Sequence, residues 1–390
     1  MSPQLLEVVE RARRELEGRF HALAHRIDVL ALERAYHRMR KDAAVGVDRV
    51  TKEQYGQDLE RNLRDLHARM KAKRYRHQPI RWVYIPKEEG KTRPIGISAF
   101  EDKLVQDAVR EVLEAIYEQD FLGCSYGFWP GRSAHDAVGT LDRTVHQGKV
   151  SWILEAAIVS FFDRLDRNQL SKMLEVRVAD GSFLRLIGKC LHVGVLDGAE
   201  LSAPETGTAQ RSVLSPLLGN VYLHPVLDLW FETKVKPRLR GRATLIRYCD
   251  DFVIGFEHEE DVRRVRAVLG KRLGRFGLTL HPDKTRLLPF RRPPAGQKSG
   301  KAGARARRLA RSTPLACGSL RVGRLSSRPP SRRIPGASSR LDGVGIARSD
   351  GAPALPWRGP ATAETHRLGC GGPRGNGERR AQAVQDAGEG

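Results

Sequence analysis

Two adjacent acids, Asp250 and Asp251, stand inside the apolar run RYCDDFVIGF at residues 247–256. Burying one unpaired carboxylate is costly, and two neighbouring carboxylates also repel each other. A turn that presents both acids while its flanks pack would suit a divalent metal ion, because Mg²⁺ takes one or two carboxylates together with substrate phosphates. Two such ions can clamp an in-line phosphoryl displacement. The alternative is an exposed Asp-Asp turn, since Asp favours turns.

Five further stretches carry charged and polar residues suited to that chemistry. They are IPKEEGKTRPIGI (85–97), CSYGFWPGRSAHDAV (124–138), SFFDRLDR (160–167), GTAQRSVLSPLLGNVYL (207–223) and GLTLHPDKTRLL (277–288). In this order, and with YCDD at 248–251, the chain resembles the reverse-transcriptase domain of group II intron-encoded proteins over residues 35–288 or so. The resemblance implies a right-hand polymerase, with fingers followed by a palm whose small antiparallel sheet carries the acids.

The resemblance also implies roles for four charged residues. Asp250 and Asp251 match the Tyr-x-Asp-Asp box and would bind Mg²⁺. Lys87 and Arg93 match basic positions of the fingers, which would hold the triphosphate of the incoming nucleotide. Ammonium and guanidinium groups suit that anion. The alternative is that Lys87 and Arg93 are surface cations near a turn.

Three more residues match positions around the nucleotide. Phe162 matches the aromatic side chain that presses on the sugar and rejects a 2′-hydroxyl, and Gln210 matches a glutamine of the nucleotide pocket. Lys284 matches a lysine near the leaving pyrophosphate, where it could act as a general acid. The alternatives are a core phenylalanine and a solvated lysine at a strand end. Arg132 and His135 lie in a matched block, but we assign them no chemistry.

The expected third carboxylate of the palm is missing. The family carries it on the first palm strand, five residues before the aromatic gate, and Ala157 stands there. A methyl group cannot bind a metal, so we expect most of the metal-derived charge stabilisation to be lost. Glu155 shares a strand face with position 157 and is a possible substitute, although it is displaced by about 6–7 Å. Asp163 and Asp166 are expected to face the start of a helix.

Other matched blocks also depart from the family pattern. Ala209 stands where the family has proline, and Arg211 and Ser212 replace a glycine pair that would let the backbone approach the nucleotide. Trp129 stands where the family usually has arginine. Together with Ala157, these changes indicate a degenerate copy.

Local patterns predict the elements that would position these residues. We expect strands at WVYIP (82–86) and WILEAAIVSFF (152–162), and a hairpin at ATLIRYCDDFVIGFE (243–257) with Cys249–Asp251 at its tip. Apolar periodicity predicts helices at 101–119, 166–178, 182–193 and 259–276, the last meeting Gly277 as a C-terminal stop, and a helix-rich segment at 1–75.

The bulk composition favours a polyanionic partner and excludes some classes of protein. The chain has 390 residues and a formal net charge of +22. Its five cysteines form no CxxC pair, so neither a zinc ribbon nor a disulfide framework is indicated. We see no secretory signal and no apolar run of the roughly 18–20 residues that a membrane span needs, so we expect a cytoplasmic protein without a membrane partner.

The last hundred residues differ in kind from the rest. Residues 291–390 contain about 20 Lys and Arg against about 6 Asp and Glu, with Trp357 as the sole aromatic residue and no periodic pattern. Such a segment buries too little apolar surface to offset its chain entropy. Where the family continues into a thumb and an RNA-binding region, we expect a disordered basic tail. It could arise from a frameshift near residue 290 or be a genuine RNA-binding tail.

The combined prediction is an α+β protein with polymerase fingers and palm. The expected divisions are an N-terminal helical extension (1–75), fingers (76–150), palm (151–290) and tail (291–390). The resemblance implies an RNA-directed DNA polymerase of a group II intron that uses Mg²⁺, an RNA template, a DNA primer, dNTPs and intron RNA. One alternative is a non-catalytic remnant that binds intron RNA like a maturase. Another is a translation product without function.

Overall fold

The computed structural model describes residues 2–86, 92–147, 149–197, 200–202 and 212–290. For Arg93, His146, Gln147 and Leu201 only the backbone is described. The helices are α1 (Pro3–Arg14), α2 (Val29–Arg38), α3 (Lys52–Gly56), α4 (Leu59–Lys71), α5 (Phe100–Asp120), α6 (Ala134–Gln147), α7 (Phe161–Arg164), α8 (Arg167–Arg177), α9 (Gly181–Leu191), α10 (Ser215–Leu223) and α11 (Glu259–Gly274). The strands are β1 (Ile80–Pro86), β2 (Thr92–Ile97), β3 (Trp152–Ala157), β4 (Val195–Asp197), β5 (Glu200–Ser202), β6 (Ala243–Tyr248), β7 (Asp251–Phe256) and β8 (Arg286–Pro289).

Helix α5 is the central helix of the first half of the chain. Most of its positions are buried, on every side of the helix, as expected for a helix that is surrounded by other elements. Helices α1 and α2 pack against it, and α9 and α10 contact it from the second half. Because these elements share one large apolar core, the N-terminal helices are part of the same folded unit as the sheets.

The described residues form two four-stranded sheets. The first has the order β2-β1-β4-β5, and its β1–β2 hairpin is antiparallel. The second has the order β6-β7-β3-β8, and every neighbouring pair in it is antiparallel. The second sheet carries the paired acids, because β7 begins at Asp251.

The two faces of the second sheet pack against different helices. Leu154 and Ile254 point into the large core, where α11 contributes Val262, Val265 and Leu269 at helical spacing. On the opposite face Ile153, Ile246 and Val253 form a smaller core with α6. Since both faces are covered, the strands read as near-continuous apolar runs and tolerate few polar residues. This explains why an arginine and two acids stand out there.

The predicted elements largely agree with the structure. The expected strand at 152–162 is shorter than predicted, because β3 ends at Ala157 and Ser160 takes φ +45° to start the turn α7. Asp166 caps α8 by accepting from the backbone amides of Asn168 and Gln169, as expected for an acid at a helix start. Gly277 has φ +70° just past α11, the conformation that favours glycine at a helix end.

Candidate active site

The acidic pair lies in the tight turn between β6 and β7. Tyr248 and Asp251 form the last strand pair, so only Cys249 and Asp250 make the turn. Cys249 has φ +59°, a left-handed conformation that costs energy for a residue with a side chain. A backbone hydrogen bond from the residue after β3 holds the turn, because the amide of Ile158 donates to the carbonyl oxygen of Asp250 at 3.2 Å.

The electrostatics of the tip are unfavourable for two charged carboxylates. Burial raises the pKa of Asp251 to about 7, and the neighbouring charge of Asp250 adds to the shift. Lys284 opposes the shift with its positive charge, while Glu155 adds a further small increase. A carboxyl group in this state would be stabilised by a bound cation.

A buried ion pair anchors the hairpin directly behind the acids. The side chains of Arg247 and Asp228 are both fully buried, and they form a bidentate pair with N–O distances of 2.7 and 2.6 Å. The guanidinium also donates to Asn220 Oδ1, to the carbonyl oxygen of Cys249 and to Ser125 Oγ, at 2.8–3.0 Å. Burial alone would raise the pKa of Asp228, but the Arg247 charge holds it below its ordinary value.

The 124–128 segment closes around the same hairpin. The amide of Arg247 donates to Cys124 O, and the amide of Tyr126 donates to Arg247 O. Gly127 lies so close to the turn that an added Cβ would come within 2.5 Å of the backbone nitrogen of Cys249. Asn220 of α10 donates to Gly127 O at 2.7 Å and thereby joins the helix to the turn. The acids are therefore held on a rigid support.

Ala157 is the direct strand partner of Asp251. Residues opposite each other in an antiparallel pair project on the same face, so the Ala157 methyl group lies beside the Asp251 side chain. Glu155 is on that face too, but it pairs with Val253, one step of about 7 Å along the strand. Burial raises the pKa of Glu155, against the charge of Arg286. Glu155 is thus an electrostatic neighbour of the pair, displaced from the position of the missing carboxylate.

Phe162 packs against helix α10. Its ring packs edge-on to Phe161 with centroids 5.1 Å apart, and it is partly buried against the large core. Gly219 of α10 allows this approach, because an added Cβ would lie 3.3 Å from the Phe162 ring. The ring is thus partly buried between Phe161 and Gly219 of α10, and its role as a gate stays a prediction.

The remaining predicted residues lie in separate segments of the chain. Lys284 is exposed in the segment before β8, within electrostatic range of Asp251. Arg93 lies on β2 opposite Ile85, and only its backbone is described. Lys87 and Gln210 lie outside the described residues, as do Ala209, Arg211 and the tail. Their predicted roles stay predictions.

The donor set fits one divalent cation better than two. Asp250 and Asp251 are adjacent carboxylates with excess negative charge at the tip. At the facing position Ala157 offers no donor atom. Among the described ranges, no cluster of three or more His, Cys, Asp and Glu side chains is arranged to hold a metal ion. A cation held by the pair would need its remaining ligands from water or from substrate phosphates.

Sequence reasoning missed the residues that support the site. Arg247 immediately precedes the tip in an otherwise apolar strand, which is a detectable signal of a buried and paired charge. Its partner Asp228 and the bridging Asn220 lie on a different element, and no local pattern connects them. Arg132, to which we assigned no chemistry, stacks 3.9 Å over Trp129 and donates to the carbonyl oxygens of Gly123 and Ser125. It therefore organises the loop around the hairpin.

Comparison with known proteins decides the family. The family model described as reverse transcriptase (RNA-dependent DNA polymerase) matches residues 85–302. The chain belongs to the reverse transcriptase family. The predicted α+β fold with fingers and palm is thereby confirmed, and the second sheet, with the acids at its hairpin, is the palm sheet of this reverse transcriptase domain.

The related proteins confirm the predicted resemblance to group II intron-encoded proteins. Protein YkfC of Escherichia coli is 33% identical over 277 residues, which cover 62% of this chain and 71% of YkfC. The group II intron-encoded protein LtrA of Lactococcus lactis is 38% identical over 178 residues, which cover 45% of this chain and 29% of LtrA. Among solved structures, a telomerase from Candida albicans with telomeric RNA matches 57% of this chain at a TM-score of 0.44 and 16% identity, which is too distant to support an inference. The chain thus spans less than a third of LtrA's length.

None of the described helices is both long and apolar enough to cross a membrane.

Proposed function

We propose that the palm site performs template-directed nucleotidyl transfer of the reverse-transcriptase type. The observation that carries this proposal is the rigidly anchored acidic hairpin, in which Asp251 has a pKa of about 7. A structural turn would place exposed acids where water neutralises their repulsion. Here the acids are held together partly buried, an arrangement suited to a cation and to phosphates.

Each part of the site has a task in this proposal. Asp250 and Asp251 would hold Mg²⁺, which when bound would stabilise negative charge on the phosphoryl group under displacement. Phe162 would press on the sugar of the incoming dNTP, and Lys284 would neutralise or protonate the leaving pyrophosphate. By family resemblance, Lys87 and Arg93 would hold the triphosphate and Gln210 would line the nucleotide pocket. The primer 3′-hydroxyl would be the nucleophile, paired on an RNA template.

Ala157 predicts a weak enzyme. Restoring a carboxylate opposite Asp251 should contribute about 3 kcal/mol or more of charge stabilisation through the metal, which corresponds to roughly a hundredfold in rate. The test is primer extension on an RNA template with Mg²⁺ and dNTPs, comparing the native chain with Ala157→Asp. Ala157→Asn is the matched control, because it adds the same volume without a charge.

Three outcomes separate the possibilities. Strong extension by the native chain would show that Ala157 is not disabling and would make Glu155 the suspected third ligand. Extension by Ala157→Asp alone would show that the rest of the palm is competent. If neither chain extends the primer although both are folded, the nucleotidyl-transfer proposal fails.

Metal binding is tested separately by thermal unfolding. Saturating Mg²⁺ should raise the Tm of the native chain by about 2–4 °C, because a ligand that binds only the folded state stabilises it. The rise should be larger for Ala157→Asp and absent for the double variant Asp250→Asn with Asp251→Asn. An equal rise in all three proteins would place the Mg²⁺ elsewhere.

The second candidate function is non-catalytic binding of intron RNA. The methyl group of Ala157, where the palm would need a carboxylate, specifically favours it. It predicts salt-dependent binding of structured RNA without any incorporation of dNTPs, even after Ala157→Asp.

A further inference from the structure

A basic cavity lies on the same face of the palm sheet as Asp251, at the opposite end of β7. Its volume is about 340 Å³, and it opens to solvent between helix α6 and the start of β6. The lining residues are Thr140, Arg143, Thr144, Lys149, Val150, Arg242, Thr244 and Gly255. Gly255 is four residues beyond Asp251, so the cavity is about 13 Å from the acids along the strand. It is therefore distinct from the proposed catalytic site.

Three separate segments of the chain build this cavity. Thr140, Arg143 and Thr144 share one face of α6, since they are spaced i, i+3 and i+4. Lys149 follows that helix, and Arg242 precedes β6. Because no local sequence pattern links the three cations, their convergence on one cavity is a property of the fold.

A glycine forms the floor of the cavity. Gly255 pairs with Thr244 across the β6–β7 ladder. A Cβ added to Gly255 would come within 3.2 Å of a Val150 methyl group and 3.7 Å of Thr144 Cγ2. The absence of a side chain lets α6 approach the sheet while leaving room for a small polar ligand with several waters.

The charge balance of the cavity favours an anion. Its lining contains three cations and no carboxylate. Outside the lining, Glu257 is 3.7 Å from the Arg242 guanidinium and within electrostatic range of Lys149, and Asp136 is within electrostatic range of Arg143. The hydroxyl group of Thr140 accepts from Tyr126 and from Arg143 at 2.9 Å, which holds that guanidinium at the cavity wall. Guanidinium, ammonium and hydroxyl donors in one recess are typical of phosphate sites.

We propose that this cavity binds a phosphodiester group of a nucleic-acid backbone, as a contact separate from the polymerase cleft. The proposal rests on the proposed function only in assuming that the chain works on nucleic acid. A backbone phosphate explains the opening to solvent and the convergence of three cations on one recess. The contact would add affinity and orientation without reading sequence.

The test compares two triple variants of the full chain. Arg143→Gln, Lys149→Gln and Arg242→Gln remove the cavity cations together. The matched control is Arg264→Gln, Arg266→Gln and Lys271→Gln, three exposed cations on α11, which covers the other face of the sheet. Binding of a labelled RNA hairpin, and of a DNA hairpin of the same sequence, is measured by fluorescence anisotropy over about 50–200 mM NaCl.

We expect the cavity variant to bind the hairpin roughly eightfold more weakly than the native chain near 0.1 M salt, with the salt slope reduced by about one. The control should lose much less. Equal loss with RNA and DNA would support recognition of the phosphodiester alone, and loss confined to RNA would support an RNA strand as the source. Unchanged binding by the cavity variant, or an equal loss in the control, would overturn the proposal.

A second variant keeps all charges in place. Thr144→Val with Thr244→Val removes two hydroxyl groups at nearly constant volume, and we expect about a threefold loss per hydroxyl with an unchanged salt slope. Inorganic phosphate is also added as a competitor of RNA binding. If it inhibits RNA binding by the native chain but not by the cavity variants, and the variants keep their RNA affinity, a free phosphate is the ligand and the backbone proposal is wrong. Primer extension does not enter these measurements, so failure of the proposed catalysis would leave this test intact.

Discussion

Two charged clusters lie next to each other in the palm, and they are built in opposite ways. Arg247 and Asp228 are fully buried, and every nitrogen of the guanidinium donates to a neighbour. Asp250 and Asp251, three and four residues after Arg247, are partly exposed, and the Asp251 pKa is raised to about 7. In the first cluster, the positive charge of Arg247 and the negative charge of Asp228 neutralise each other. In the second cluster, burial and the charge of Asp250 both raise the pKa of Asp251, so a bound cation would stabilise its charged form.

The comparison shows how a strained tip is held in place. Arg247, the cation of the buried pair, donates directly to the carbonyl oxygen of Cys249, whose backbone is left-handed. A buried charge pair thereby maintains the geometry of the turn that carries Asp250 and Asp251. Buried pairs of this kind are weak evidence for stability, but removing one partner is strongly destabilising because it leaves an uncompensated charge.

The largest expected effect follows from breaking the compensated pair. Arg247→Met should lower the free energy of unfolding by about 3–5 kcal/mol, because Asp228 would be left buried without its counter-charge. Urea unfolding of the full chain measures this. The double variant Arg247→Met with Asp228→Asn should recover at least half of the loss. The exposed pair Arg263–Glu259 supplies the control, since Arg263→Met should cost less than about 1 kcal/mol. Similar losses at Arg247 and Arg263 would contradict this account.

A smaller effect is expected where the loop touches the tip. Gly127→Ala places a methyl group against the backbone of Cys249, which cannot move as a flexible side chain would. We expect a loss of about 1–3 kcal/mol, together with weaker Mg²⁺ binding. Gly123→Ala in the same loop is the matched control, because its Cβ would have no atom within 4 Å. If the two variants unfold at the same urea concentration, the loop does not support the hairpin.

The smallest effect concerns a partly buried acid of α5 to which we assign no metal role and whose raised pKa the charge of Arg110 offsets only in part. The Oε1 atom of Glu118 in α5 is buried and has no hydrogen-bond partner among the described residues. Burial, followed by the charge of Glu114, raises its pKa to about 7. The folded state therefore binds the proton more tightly than the unfolded state, and stability falls as pH rises from about 4.5 to 7.

Glu118→Gln should remove that pH-dependent loss. We expect the variant to be more stable than the native chain by about 1 kcal/mol at pH 8, a value reduced for partial exposure, and equally stable near pH 4.5. Thermal unfolding at the two pH values measures the difference. A stability difference that does not change with pH would mean that the Glu118 carboxyl is already solvated.

Much of the fold was predictable because its signals are local. The helical spacing within α5 and α11, the short apolar runs of β6 and β7, and the left-handed glycine at 277 each follow from neighbouring residues. The end of β3 was not predictable in the same way. The apolar run continues through Phe162, and only the left-handed turn at Ser160 separates the strand from α7.

For the candidate site, the acids were found and their support was missed. Asp250, Asp251 and Phe162 were selected because their types and order match a family of enzymes. Arg247 was overlooked as part of the site because its role depends on Asp228 and Asn220, which belong to other elements. The significance of Ala157 was expected from the sequence, and the strand register added that it faces Asp251 directly.

The sequence by itself determined the acidic hairpin, the main helices and strands and the family, because these depend on residue types at short spacing and on ordered motifs. Only the tertiary structure decided which charges are compensated, what faces Ala157 and Asp251, and where Arg143, Lys149 and Arg242 converge. The physical reason is that electrostatic and hydrogen-bonding partners are chosen by distance in space. Chain periodicity determines which face a residue occupies, whereas packing of remote segments determines what it meets there.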